Sequence, residues 1–425
     1  MNAHSAPAGA PADVRLPPEV RRARWAVSLV FLLNGASFCA ILPRYPELVE
    51  ALGLSKTAFG LAVGIGPIGG LLAGLFAARL MRRFGSARVA VLTQIFASSA
   101  HLLVYTSGSW WWLAGSLVLA QAADAITDIA MNAHGMRVER RYRRSIMNSY
   151  HGWWSLGAVA GGLIGAACAQ LGVPLWIQGI TGLVVFGALA AAALRFLLPG
   201  HDATERTPVA GPSAASAAEV PGSVPSGFRI AGMSLRALSL VIALGMVLVF
   251  AGSTEDAGST WGALFMVSTF DSTPFVAGMA FVALQGAQTI GRFTGDAVVD
   301  RLGDRTTARL GALIAAAGMS LALLVPTPLT AVIGFAAAGW GVATLFPAAY
   351  RAADDLPGVP HGVGITVVGW FARLGFFLTP PLVGALADAL TLRYALWMMP
   401  LYFLGILIFS GVLSTRSKQP GATVP

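Results

Sequence analysis

The sequence predicts an all-α integral membrane fold of twelve transmembrane helices in two pseudo-symmetric six-helix bundles. Three observations carry that prediction. First, 56% of the 425 residues are hydrophobic and only 11% are charged, with a mean hydropathy of +0.71, whereas a soluble globule carries about 25% charged residues. Second, the apolar residues come in continuous runs rather than short alternating segments, which specifies helices and not barrel strands. Third, nearly all the cations fall in alternate gaps between those runs.

In order, the runs cover residues 25–42, 58–80, 89–106, 110–133, 147–170, 175–198, 235–254, 274–297, 309–325, 328–350, 361–386 and 394–413. Each is close to the length of about 20 residues that a rise of about 1.5 Å needs to cross a hydrocarbon core of about 30 Å. Residues 1–24, rich in Pro, Ala and Arg, predict a disordered N-terminus followed by an uncleaved anchor. Residues 199–234 are rich in Pro, Ser, Ala and Gly and predict a flexible linker. It separates bundles at 25–198 and 235–413, with a tail at 414–425. Trp110, Trp111 and Trp112 predict an interfacial aromatic belt, Pro380 and Pro381 a kink in the eleventh run, and the many glycines close helix packing.

Orientation follows from the cations, because Lys and Arg are retained on the cytoplasmic side during insertion. Of 28 basic residues, 24 precede the first run, follow the even-numbered runs or lie in the linker and tail, while Arg44, Lys56 and Arg393 occupy the opposite gaps. Both termini are therefore expected to be cytoplasmic, in an inner (plasma) membrane. The pI near 10.2 describes a basic collar against anionic lipid, with no nucleic-acid partner. Cys39 and Cys168 lie inside runs and read as free buried thiols.

The halves match weakly at an offset of 218 residues, which pairs Gly60 with Gly278, Arg83 with Arg301 and Gly85 with Gly303. Repeats of this kind underlie transporters in which two bundles rock about a site near the midplane.

The chain also resembles the major facilitator superfamily over essentially its whole length. In GRFTGDAVVDRLGDR, the residues Arg292, Asp296, Asp300, Arg301, Gly303 and Arg305 match a version of the family's conformational-gating motif. Its first-half counterpart, AARLMRRFGSAR, places Arg82 at the family Asp and Ala78 at the first Gly. The strings DIAMNAHGMRVE, HGWWSLGAVAGGLIGA and ARLGFFLTPPLVGALAD are similar to the YbjJ-like branch, distantly related to sugar–proton symporters of the fucose-permease type. In EDAGSTW, Thr260 stands where that branch has an acidic residue before Trp261, so that carboxylate's role does not transfer. The resemblance implies a monomeric transporter without a cofactor.

Candidate site residues are the polar ones at membrane depth. Gln121, Asp124, Asp128 and Asn132 are spaced 3, 4 and 4 and line one face of the fourth run. An ionised Asp at a helix centre costs at least about 2.5 kcal/mol, so it must face protein, water or a cation. The functional reading is a proton site, since burial and a neighbouring acid both favour a protonated carboxyl; the structural reading is anchorage of the adjacent basic loop. Arg373, central in the eleventh run, needs an anionic partner, either Asp124, Asp128 or the substrate. Glu255 is a third proton-coupling candidate, placed with Asp256 at the end of the seventh run where Gly and Ser interrupt the helix. Asn34 and Trp261 are candidates for the cavity wall, and His151 for an interfacial hydrogen bond.

ATP-driven transport is excluded, because a phosphate-binding loop needs a Gly-Lys-Ser/Thr step and neither Lys56 nor Lys418 follows Gly. No HExxH or GxSxG is present, and His and Cys are too scattered for a metal site, so no enzyme activity, cofactor or metal is expected. The remaining reading is a secondary transporter that binds a small-molecule substrate and protons. Proton-driven export of drugs or metabolites is its close alternative, and a non-transporting sensor or scaffold on the same fold is the alternative of another class.

Overall fold

The computed structural model describes residues 17–142, 145–200, 229–230, 233–357, 359 and 363–413. Most of the expected N-terminal disorder, most of the linker, the tail, and Arg143 and Arg144 lie outside these. The described residues form twelve consecutive membrane-length segments. Six are single helices of the expected kind: α5 (Ser86–Tyr105), α6 (Trp110–Tyr142), α7 (Met147–Gln170), α8 (Leu175–Leu194), α10 (Pro274–Leu302) and α11 (Asp304–Leu324). The first segment is α1 (Pro18–Cys39), continued by a 3₁₀ turn and α2 (Tyr45–Ala51). It starts at Pro18 rather than residue 25, because Val20 and Ala23 are buried and Arg24 donates to the Tyr142 hydroxyl at 2.6 Å.

Two segments are broken. The second divides into α3 (Lys56–Gly64) and α4 (Gly66–Phe84), with Pro67 in the first turn of the latter; the tenth divides into α12 (Pro328–Val342) and α13 (Leu345–Asp354). The eleventh, α14 (Val363–Ala389), stays helical through Pro380 and Pro381. The last comprises α15 (Leu392–Ala395) and α16 (Met398–Phe409). A two-residue ladder, Arg229–Ile230 with Met233–Ser234, precedes the seventh segment.

The seventh segment corrects an expectation. Helix α9 runs unbroken from Leu235 to Phe270 and stops at Asp271 in a left-handed cap with φ 52°. Gly252, Ser253, Gly258 and Gly262 are buried inside it, and packing there overrides their low helix propensity. Eleven of the twelve segments are long and apolar enough to cross a membrane. The exception, α10, carries Gln285 and Gln288, and it hides them: they are 2% and 0% exposed.

Small residues set the packing. Gly157, Gly161 and Gly165 recur every fourth position on α7 and lie directly on the backbone of Leu32, Ala36 and Ala40 of α1, the close approach that replaces a hydrophobic driving force inside lipid. At one end of the molecule, which carries most of the arginines, the repeat is visible in backbone geometry. Gly85 (φ 81°, ψ 150°) and Gly303 (φ 80°, ψ 159°) both join consecutive helices, each N–H donating to the carbonyl four residues back. That region is essentially closed to side-chain-bearing residues.

The two halves close on each other at the opposite end. Gly60 and Gly64 of α3 abut Phe377, Pro380 and Pro381 of α14, and Gly278 of α10 abuts Ala166 of α7. Each seam is capped across the halves. The Asp388 carboxylate accepts from the N–H groups of Lys56 (3.0 Å) and Thr57 (2.8 Å), and the Gln170 amide oxygen accepts from the Phe275 N–H (3.2 Å). Gln170 and Asp388, like Thr57 and Phe275, are 218 residues apart, so the caps are related by the repeat. Between them Tyr45, Phe59 and Trp261 stack edge to face, with centroids 5.0 and 5.6 Å apart. Toward the arginine-rich end α14 diverges from α4, which leaves a cleft on that side, while on the other side α7 and α10 stay together, with Gly152 against the Phe293 ring and Arg292 on Ser155.

Loss of an N-cap costs about 0.5–2 kcal/mol, or roughly 2- to 30-fold in a two-state population. Asp388→Ala is therefore expected to speed amide exchange not only at 56–58 but also at 275–280 on the other seam, because both contacts break in one opening. Acceleration confined to 56–58 would mean the seams open independently.

Candidate functional site

One side-chain amide organises the first half. Asn34 of α1 is 3% exposed, and its Nδ2 donates to Asp124 Oδ1 of α6 at 2.8 Å and to Gln94 Oε1 of α5 at 3.2 Å. Its Oδ1 accepts from Trp154 Nε1 of α7 at 2.9 Å, and Gln94 Nε2 passes the network back to Ser37 Oγ at 3.1 Å. Four helices thus meet at one residue. Every partner is polar because lipid-embedded groups find hydrogen bonds only within protein.

The rest of the α6 stripe falls as the 3, 4, 4 spacing requires. Gln121 packs against Gly66 and Gly70 of α4. Asp128, one turn beyond Asp124, is exposed toward the arginine-rich end, and its Oδ1 accepts from Asn132 Nδ2 at 2.9 Å. Beyond it the helix anchors the corner. Glu139 accepts from the N–H groups of Ile146 and Met147 at 2.6 and 2.9 Å and so caps α7. Arg137 is buried and donates to the carbonyls of Leu198, Pro199 and Gly200, which finishes the sixth segment.

In the second half Glu255 and Asp256 lie in the middle of α9, not at its end, and Glu255 Oε2 accepts from Gln288 Nε2 at 3.0 Å. Cys39 of α1 lies within electrostatic range of both Asp124 and Glu255. Thr260 Oγ1 donates to Asp256 Oδ1 at 3.4 Å. Trp261 is fully buried in the closed seam rather than on a cavity wall, because its ring is wedged on Phe59.

Arg373 is exposed and pairs with neither Asp124 nor Asp128; among the described residues it makes no ion pair, and its electrostatic neighbour is Tyr350. It continues the α14 stripe Phe377–Pro380–Gly384–Asp388 that seals on α3, one turn past the point where the helices part, so it borders the cleft. Of the residues that resemble the family's gating motif, Arg292 donates to Ser155 Oγ of α7 at 3.3 Å and faces His151. Asp296, Asp300 and Arg301 are exposed, Gly303 makes the turn, and Arg305 donates to the carbonyls of Gly411 and Leu413 at the end of the twelfth segment. His151 itself stands edge-on to Phe31 at 5.4 Å.

Reading the residues alone missed Gln94, Trp154 and Gln288, whose signal was a lone polar or amphipathic group inside an apolar run. It also missed Arg137, which counted as one more loop cation. Nothing in the composition distinguishes a snorkelling arginine from one that caps a neighbouring helix.

A family model described as Major Facilitator Superfamily matches residues 27–255 and 242–425. The transporter y4wD of Sinorhizobium fredii is 28% identical over 91% of this chain and 97% of its own length. The membrane protein MosC of Rhizobium meliloti is 27% identical, over 87% and 85% respectively. Among solved structures, a variant of the nucleoside transporter NupG superposes with a TM-score of 0.71 at 12% identity, covering 92% of this chain and 99% of that one. A bacterial homolog of the human lysosomal transporter Spinster, inward-facing and occupied, gives 0.67 at 16% identity over 94% and 100%.

Removing the Arg137 guanidinium leaves three terminal carbonyls without their donor, and a buried unsatisfied group costs about 1–3 kcal/mol. Arg137→Ala should therefore lower the thermal midpoint in detergent, with Arg137→Lys recovering only part of the loss. Equal stability of wild type and Arg137→Ala would show that water reaches those carbonyls.

Proposed function

Because the chain belongs to the major facilitator superfamily and is a multi-pass membrane transporter, we propose that it couples the movement of a small anionic or zwitterionic molecule to protons by alternating access between its two bundles. The single observation that carries this reading is the Asn34 amide shared by Asp124, Gln94 and Trp154. The bond to an ionised Asp124 is charge-assisted and roughly twice as strong as one to a neutral carboxyl. Protonation of Asp124 weakens the tie between α1 and α6 while leaving those to α5 and α7, so a proton becomes a change in helix packing. Asp128 and Asn132, on the same face and nearer the cleft mouth, give the proton its route.

Arg373 supplies the other half. A cation at the cleft wall with no ion pair among the described residues fits a site whose partner arrives with the substrate, as an anionic group. Glu255, held by Gln288, faces the same region from the second bundle and serves as a second proton acceptor. The basic residues put the open end in the cytoplasm by the positive-inside rule, which makes this an inward-open arrangement. The branch-level motifs in α6, α7 and α14 favour kinship with the YbjJ-like, fucose-permease-related transporters, and with it a proton-coupled symporter. We propose 25–198 and 235–413 as the rocking units.

The test uses a solute chosen by its thermal stabilisation of the purified protein. In proteoliposomes, Asp124→Asn should abolish transport driven by a pH gradient while leaving solute exchange at equal pH intact. Full retention of gradient-driven transport contradicts the assignment. Arg373→Ala should weaken solute binding roughly ten- to hundredfold, the equivalent of one lost charged hydrogen bond of about 1.5–3 kcal/mol; unchanged binding removes Arg373 from the site.

A further inference from the structure

Of the two seams between the halves, the one between α7 and α10 is shut at both ends, and its counterpart between α3–α4 and α14 at one end only. At the arginine-rich end Gly152 lies directly against the Phe293 ring, and Arg292 Nη1 donates to Ser155 Oγ at 3.3 Å. The 218-residue repeat maps Gly152 onto Trp370, Phe293 onto Leu75, Ser155 onto Arg373 and Arg292 onto Gly74. These counterparts lie open. Leu75 is 76% and Trp370 52% exposed, Arg373 is exposed, and the one atom within 4 Å of where a Cβ on Gly74 would stand is Ile129 Cδ1 of α6, not an atom of α14.

Where both seams are shut the repeat holds: Gln170 and Asp388 cap Phe275 and Thr57, and Gly278 and Gly60 both lie in the contact. Extended into the open stretch, the same register places Arg373 over Gly74 and Trp370 beside Leu75. In the shut seam the guanidinium comes from α10 and the small residue from α7. In the open one the sides change places, with Gly74 on α4 and Arg373 on α14, so each pair keeps one guanidinium and one small residue that leaves room for it.

Closing the cleft strips water from Arg373, and a guanidinium shut between helices needs an anion. Asp128 is placed to supply it. Gly70 lies on Gln121 and Ala125 of α6 and Gly74 on Ile129, which puts Asp128 level with Gly74, and its side chain is exposed. Helix α6 starts and α14 ends at the closed seam, so the two run in opposite directions. Side chains tilt toward the start of their own helix, and Asp128 and Arg373 therefore lean toward each other. Asp124 is held by Asn34, whereas Asp128 is bonded within its own helix to Asn132 and makes no ion pair among the described residues. We propose that in the opposite state α14 closes on α4, with Arg373 over Gly74 and Trp370 beside Leu75, and that an Asp128–Arg373 ion pair holds this gate shut. The proposal rests on alternating access between the two bundles and gives Arg373 two partners in turn. The substrate's anionic group meets it in the loaded protein and Asp128 in the empty one, so the gate closes without cargo.

The test uses the full chain in proteoliposomes with no added solute, Cys39 and Cys168 replaced by Ala, and a short bifunctional methanethiosulfonate as cross-linker. Leu75→Cys with Trp370→Cys reports the open seam, and because both positions are exposed the substitutions remove no core packing. Gly152→Cys with Phe293→Cys reports the shut seam and should cross-link in every folded variant. Cross-linking at 75–370 is expected, and Asp128→Asn and Arg373→Gln should each slow it roughly tenfold, about the value of one hydrogen bond to a charged group. The double variant should slow it no further than either single one, since both remove the same interaction. Failure of 75–370 to link where 152–293 links overturns the closure register, and an unchanged rate in Asp128→Asn overturns the ion pair. Both results are distinct from a failure of proton coupling, which shows as retained gradient-driven transport in Asp124→Asn.

Discussion

Inside a hydrocarbon layer a hydrogen-bonding group has no partner except another part of the protein, and the structure is organised by how each such group is met. Asn34 meets three of them at once and thereby ties α1 to α5, α6 and α7. Gln288 meets Glu255 from the neighbouring helix. Arginines meet carbonyls at or beyond the ends of other segments: Arg137 those of Leu198, Pro199 and Gly200 in the stretch after α8, Arg305 that of Leu413 at the end of the twelfth, and Arg393 that of Leu323 in the last turn of α11. A helix end offers up to four unpaired carbonyls and the negative pole of its dipole, so a guanidinium with five donors is suited to it.

Closure of the halves rests on the same logic applied twice. Two helix starts, at Lys56–Thr57 and at Phe275, would expose free N–H groups, and each is capped by a side chain from the other half, Asp388 and Gln170. Separation of this gate parts the Phe59–Trp261 contact as well as the caps and glycine contacts, and water can replace the caps on the freed N–H groups. At the other end α7 and α10 still touch through Arg292 with Ser155 and Gly152 with Phe293, while Asp296, Asp300 and Arg373 are exposed.

The architecture was legible because its signal is long-range and redundant: twelve apolar runs, alternating cations and a 218-residue repeat each point the same way. Gly85 with Gly303 and Gly60 with Gly278 show that the repeat carried geometric information, a turn in the first case and a seam in the second. The length of α9 was not legible, because Gly and Ser weaken a helix in water and not where neighbours bury them. Asp124 was legible as a costly charge, but its partner Asn34 lies 90 residues away and only folding brings them together. Arg373 was read as needing an anionic partner, Asp124, Asp128 or the substrate; it pairs with neither aspartate, because it is exposed one turn past the seam where α14 leaves α3.

Proton coupling through the Asn34–Asp124 tie is tested most directly by electron–electron distance measurement between spin labels at Arg140 on α6 and Arg351 on α13, in nanodiscs, with pH varied across the physiological range. Two distance populations are expected, a wide one matching the open cleft and a narrow one, with their ratio changing with pH in the wild-type protein. A single distance that does not respond to pH would contradict a proton-driven change of access.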